Sequence, residues 1–255
     1  MPFCYIDDIK LYYEDYGVKD QVPLIFLHGV MGSSDIWKPQ VDHFKNQRRI
    51  IILDLRGHGQ SDKPTGRYSI KQFSDDLHSL MKHLHLEEAI IAGHSMGGMT
   101  ALRFTLDHQD MVDKLILIDT TAKPSFSFAT RLLLSLSNIL MDVSYRSFLR
   151  TYISRYSDLE DFDLEEAVAT LLKTPKHVTK SCFQAIAGFD VTSELPNIRV
   201  PTLIIHGGES STPVAQAEYM NEHIPHAELV VIEGAGHASP TENPDEIWKA
   251  IEKFI

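Results

Sequence analysis

Three observations predict an α/β protein with a mostly parallel central sheet and an inserted helical segment. Short apolar runs recur at residues 23–27, 49–53, 89–92, 114–118 and 201–205, and each stops at a His, Asp or Gly. Runs of this kind, apolar without alternation, suit strands buried on both faces of a parallel sheet. Helical patterns separate the first runs, which implies crossover connections. After Asp119 the pattern changes: residues 123–194 carry no strand-like run, a stretch of about 70 residues that is far too long for an ordinary loop.

Taken in order, residues 3–6 and 9–16 form a hairpin turning at Asp7-Asp8. Residues 69–84 place Ile70, Phe73, Leu77, Leu80, Met81 and Leu84 at helical spacing. Residues 96–106 follow Gly93 directly and read as the next helix. The insertion reads as helices over 126–141, 144–156, 164–172 and 176–189. Residues 201–205 and 229–232 resume the sheet, and an amphipathic helix over 245–254 closes the chain. The domain division is therefore a core of residues 1–122 and 195–255, with a helical cap over 123–194.

Hydrophobic residues make up 43% of the 255 and charged residues 23%, as in ordinary globular chains. The formal net charge of -11 repels phosphate backbones and anionic surfaces, so neither nucleic acid nor a membrane is an expected partner. The two cysteines, Cys4 and Cys182, fit no metal spacing and read as reduced buried thiols. Residues 1–10 lack a basic stretch followed by an apolar run, and residues 132–141 are too short to span a bilayer, which points to a cytoplasmic protein. His78, His83 and His85 lack the spacing that puts two ligands on one helix face, and no phosphate-binding glycine loop is present. Neither a metal nor a cofactor is expected.

Chemistry-bearing residues cluster at strand ends. Gly93-His94-Ser95-Met96-Gly97 fits a nucleophile elbow, in which a serine sits on a tight turn between strand and helix. His237, in Gly234-Ala235-Gly236-His237, lies after the last strand, where the base for Ser95 belongs. His28-Gly29-Val30-Met31-Gly32 can present backbone N–H groups to an oxyanion, with the amides of Val30 and Met96 as donors. His28 itself reads as structural, bonding nearby loop backbone. Asp54 and Arg56, in the loop 54–61, read as braces.

In this order, the motifs His-Gly-x-x-Gly, Asp-x-Arg-Gly-x-Gly-x-Ser, Gly-His-Ser-Met-Gly-Gly and Gly-x-Gly-His make the chain resemble the α/β-hydrolase superfamily across nearly its whole length. Within it the chain is similar to small capped serine esterases and lactonases, with 3-oxoadipate enol-lactonases and cofactor-free haloperoxidases or perhydrolases as relatives. The resemblance implies a serine carboxylesterase or lactonase acting on a small apolar ester or lactone. A perhydrolase, a carbon–carbon bond hydrolase and a non-enzymatic receptor using the capped pocket remain rival readings.

The chain departs from the family at the acid. Relatives place an Asp just past the strand at 201–205, but this loop reads His206-Gly207-Gly208-Glu209-Ser210-Ser211-Thr212-Pro213. Glu209, its only carboxylate, is the first candidate, and Asp119 is the alternative. Met31, Trp37, Phe126 and Phe189 are the expected substrate-wall residues, with Phe128, Leu133, Leu136, Phe148 and Ile186 as further candidates for an apolar roof over Ser95.

Overall fold

The structure is a computed structural model that describes residues 2–7, 9–124, 141–153 and 163–255. Eight strands form one sheet: β1 (Phe3–Ile6), β2 (Ile9–Tyr16), β3 (Leu24–Leu27), β4 (Ile50–Leu53), β5 (Ala89–His94), β6 (Val112–Ile118), β7 (Thr202–Gly207) and β8 (Ala227–Ile232). Their order is β1-β2-β4-β3-β5-β6-β7-β8. β1 and β2 are antiparallel, as is the β2–β4 pair, and every later pairing is parallel.

Alternation within each strand sorts the core into two layers. Ile25, Leu27, Ile51, Leu53, Ile91, Leu115 and Leu117 face one side, where they meet α2 (Ile70–His83) and α3 (Met96–Asp107). Leu24, Phe26, Ile50, Ile52, Ile90, Ile116 and Ile118 face the other, against α1 (Lys38–Phe44) and the C-terminal helix. Each fully buried Leu or Ile contributes roughly 1.5–3 kcal/mol over its exposed state. This two-sided burial is why the runs are apolar without alternation. α2 begins where its propensity and cap agree, with Ser69 Oγ accepting from the Gln72 amide at 3.1 Å.

Between β6 and β7 the described segments are helical: α4 (Tyr145–Ile153), α5 (Leu164–Leu171) and α6 (Lys176–Ala187). They enclose Met141, Phe148, Leu149 and Val168, and Met31 from the core joins that cluster. The two ends of this insertion are tied together. The Val191 amide donates to the Ala122 carbonyl at 3.0 Å, and Lys123 pairs with Asp190 at 2.7 Å.

After β7 the chain forms α7 (Val214–His223), β8, a one-turn helix α8 (Ser239–Glu242) and α9 (Pro244–Phe254). Cys4 and Cys182 are both buried free thiols. Among the described residues, no helix is long and apolar enough to cross a membrane.

Candidate active site

Ser95 occupies the single residue between β5 and α3, with φ 53° and ψ −116°. A non-glycine residue rarely adopts this geometry, so the surroundings must hold it there. Its amide donates to the Ile118 carbonyl at 2.9 Å. Its carbonyl accepts from the Gly98 and Met99 amides at 3.0 and 3.1 Å and from Thr120 Oγ1 at 2.7 Å. The flanking glycines follow from close approach. A Cβ on Gly97 would be driven into the Leu27 carbonyl, and one on Gly93 into the Gly97 carbonyl. The turn leaves the Ser95 side chain partly accessible among buried neighbours.

The loop after β3 lies directly on this turn. A Cβ on Gly29 would sit 3.2 Å from Ser95 Cβ. The next residues, Val30 and Met31, bend back through a positive φ of 61° at Met31. Among the described residues, neither the Val30 nor the Met96 amide has a hydrogen-bond acceptor. His28 fixes the loop from below: Nδ1 donates to the Gly29 carbonyl at 2.7 Å, and Nε2 accepts from the Leu55 amide at 3.0 Å. Those roles need the neutral ring, and burial holds its pKa down at about 4. Asp54 braces the adjoining loop by accepting from the Ser34 and Gln60 amides, both at 2.7 Å, and Arg56 forks onto Asp76.

His237 reaches Ser95 from the loop after β8, with Nε2 3.1 Å from Oγ. Its main chain is clamped on both sides. The ring Nε2 of His94 donates to the His237 carbonyl at 2.7 Å, and Glu242 Oε2 accepts from the Gly236 amide at 2.6 Å. Burial, reinforced by His94 and His206, pushes the His237 imidazole down to about 3. The ring is therefore neutral at ordinary pH.

Among the described residues, no carboxylate meets the other ring nitrogen directly. Nδ1 lies 3.2 Å from Ser210 Oγ and 3.4 Å from Thr212 Oγ1. The expectation that Glu209 supplies the acid does not match this geometry. The Glu209 amide donates to the Ala235 carbonyl at 2.9 Å, and its side chain is exposed with no partner among the described residues. Asp119, the alternative, is buried at the end of β6 with φ 47°. Its Oδ1 accepts from the Gly207 amide at 2.9 Å, and Oδ2 accepts from the Ser239 hydroxyl. His206 Nδ1 lies 3.7 Å from Oδ1. Burial raises the Asp119 carboxyl, while Ser239, Gly207, His206 and Ser210 draw it back down. Sequence reading missed Ser210, Thr212, Ser239 and Glu242. Only the run of hydroxyl residues 210–212 beside a strand end could have pointed to the first two.

Residues 22–244 match the family described as alpha/beta hydrolase fold. The chain belongs to that family. It is 29% identical to 3-oxoadipate enol-lactonase 2 of Acinetobacter baylyi over 97% of this chain and 94% of that protein. It is 31% identical to the AB hydrolase superfamily protein YisY of Bacillus subtilis, over 97% and 96%. Among solved structures, a thermophilic esterase from Thermogutta terrifontis superposes with a TM-score of 0.85 at 29% identity, covering 96% of this chain and 92% of that one.

For this α/β hydrolase, the expected substrate-wall residues fall in different places. Trp37 is not at the site. It is fully buried on the opposite face of the sheet from α3, stacked on Phe26 with ring centroids 4.6 Å apart. Its apolar bulk is used to seat α1. Met31 is buried against the inserted helices, and Phe189 lies in the same buried cluster as Met96. Phe148 and Ile186 pack within or against these clusters. Phe126, Phe128, Leu133 and Leu136 lie outside the described residues. No group of three or more His, Cys, Asp or Glu among the described residues could hold a metal ion.

Proposed function

We propose that this hydrolase cleaves carboxylic esters or lactones of short to medium acyl chain through an acyl-enzyme on Ser95. The observation that carries the reading is the 3.1 Å contact between Ser95 Oγ and His237 Nε2 at a strained strand–helix turn. His237 takes the hydroxyl proton as Oγ bonds the acyl carbon. The carbonyl oxygen becomes an oxyanion, held by the amides of Val30 and Met96, which have no acceptor among the described residues. Collapse breaks the ester bond, and His237 returns the proton to the leaving alkoxide. Water then attacks the acyl-enzyme by the same route, regenerating Ser95. Asp119, rather than Glu209, is the carboxylate that supports the imidazolium. The named activities of the enol-lactonase and esterase relatives support this substrate class, and the buried apolar cluster around Met31 suits an uncharged acyl group. The reaction as written needs no cofactor.

The test is hydrolysis of p-nitrophenyl esters from acetate to dodecanoate, and of a simple lactone, by wild type and Ser95→Ala. The variant is expected to lose at least about 1,000-fold in kcat with unchanged thermal stability, as removal of a triad nucleophile does. Retention of activity within a few-fold would overturn the serine mechanism.

A further inference from the structure

We propose that Ser210 is a positioning residue that carries the support of Asp119 to His237 through its hydroxyl. The proposal rests on the serine-hydrolase reading above. Ser210 Oγ lies 3.2 Å from His237 Nδ1, and the turn that carries Ser210 is tied to the carboxylate: the Ser210 amide donates to the Gly207 carbonyl at 3.0 Å, and the Gly207 amide donates to Asp119 Oδ1 at 2.9 Å. The same hydroxyl is the weakest of the groups that hold the Asp119 carboxyl down against burial. One hydroxyl can serve both, because it has lone pairs to accept with and a proton to donate.

The donor order is consistent along the chain. The Ser95 hydroxyl donates to Nε2 and the Nδ1 proton donates to Ser210 Oγ, which leaves the Ser210 proton free to be directed at Asp119. This fixes the tautomer that leaves Nε2 free to act as a base. Thr212 Oγ1, at 3.4 Å, offers Nδ1 a longer second acceptor. The carboxylate is itself oriented by the Gly207 amide and the Ser239 hydroxyl, which occupy its two oxygens. The charged and titratable groups that face this chain are His94 and His206 toward His237, and His206 and Glu242 around Asp119. Glu209, next in sequence to Ser210, takes no part, because its backbone bond to Ala235 leaves its side chain exposed. The loop thus supplies a hydroxyl where the family pattern supplies a carboxylate, and the charge sits one strand over, at the end of β6.

The experiment compares wild type, Ser210→Ala, Ser210→Thr, Asp119→Asn and the Ser210→Ala/Asp119→Asn double variant. Two readouts are used: the pH profile of p-nitrophenyl acetate hydrolysis, and the rate at which a fluorophosphonate labels Ser95. Ser210→Ala is expected to lose about tenfold or more in both, the scale of coupling within one hydrogen-bond network. Ser210→Thr restores most of the loss. The double variant falls no further than the worse single variant. A Ser210→Ala rate within twofold of wild type, or single losses that multiply in the double variant, would overturn the proposal. A third readout does not need turnover. Nitrogen NMR of the His237 ring should place the proton on Nδ1 in wild type and redistribute it in Ser210→Ala. If wild-type Ser95 neither turns over esters nor takes the label, the hydrolase mechanism fails. The NMR comparison then still decides the Ser210 link, and an unchanged tautomer rejects it.

Discussion

The Ser95 corner and the Asp119–His237 corner of this site are built by different means. Around Ser95, position is set by main chain: its amide and carbonyl are both bonded, and Gly93 and Gly97 let neighbouring backbone approach closely. Around Asp119 and His237, side chains do most of this work: hydroxyls of Ser210, Thr212 and Ser239 meet the ring and the carboxyl, and His94 and Glu242 hold the main chain around His237. A backbone corner admits no extra atom, whereas a hydroxyl corner can exchange members that hydrogen-bond alike. The first is fixed by sterics and the second by the direction of a few protons.

Three measurements test that contrast, beginning with the largest effect. Gly97→Ala adds a Cβ where the Leu27 carbonyl already sits. It is expected to destabilise by roughly 2–3 kcal/mol, the scale of a forced overpacking, seen as a lower urea midpoint at unchanged slope. A variant as stable as wild type would remove the steric account of the elbow.

Acid acts on both corners through their histidines. Burial holds His28 at about 4 and His58 and His237 at about 3. In the unfolded chain these rings titrate near about 6.5. Below that pH the unfolded chain therefore binds more protons than the folded one. The associated stability is complete above about 6.5 and is lost as pH falls toward the folded values. Asp119, raised by burial, has the opposite sign and offsets part of this loss. Urea midpoints are expected to fall between pH 7 and pH 4.5, and a flat profile would contradict the burial of these rings.

The smallest effect is expected from Glu209→Gln. This exposed side chain has no partner among the described residues, so kcat/KM should stay within about twofold, as for surface changes generally. A collapse of activity would return Glu209 to the acid position and remove Asp119 from it.

What could be read from the sequence follows the same division. Strands buried on both faces leave unbroken apolar runs, so β3 to β7 were visible to within a few residues. α2 was visible because seven of its residues, among them Ile70, Phe73 and Leu77, are buried on one face. α1 was not seen: it has seven residues and a proline in its first turn, too short for a periodic signal. α7 escaped for another reason, since only Ala217 and Met220 of its ten residues are buried and no stripe forms. Ser95 and His237 were legible because glycines mark the turns that carry them. The hydroxyls of Ser210 and Ser239 were not, because serine is common in any loop and its function here depends on what two other strands bring beside it. Trp37 misled because its neighbourhood in sequence, next to the Gly29–Met31 loop, is not its neighbourhood in space.

The tie between the two ends of the insertion has a practical reading. Because Ala122 bonds Val191 and Lys123 pairs with Asp190, the helices between β6 and β7 leave and rejoin the core at one short neck. Such a neck sets the two splice points of a cassette exchange a few ångströms apart, while the cassette would also have to reproduce the core contacts of α6, where Ser181 Oγ accepts from the Tyr68 amide at 2.6 Å and Val178 and Cys182 are buried with sheet residues. The joint belongs outside Asp119 and Thr120, which bond Gly207 and Ser95 and so are part of the chassis rather than of the cassette.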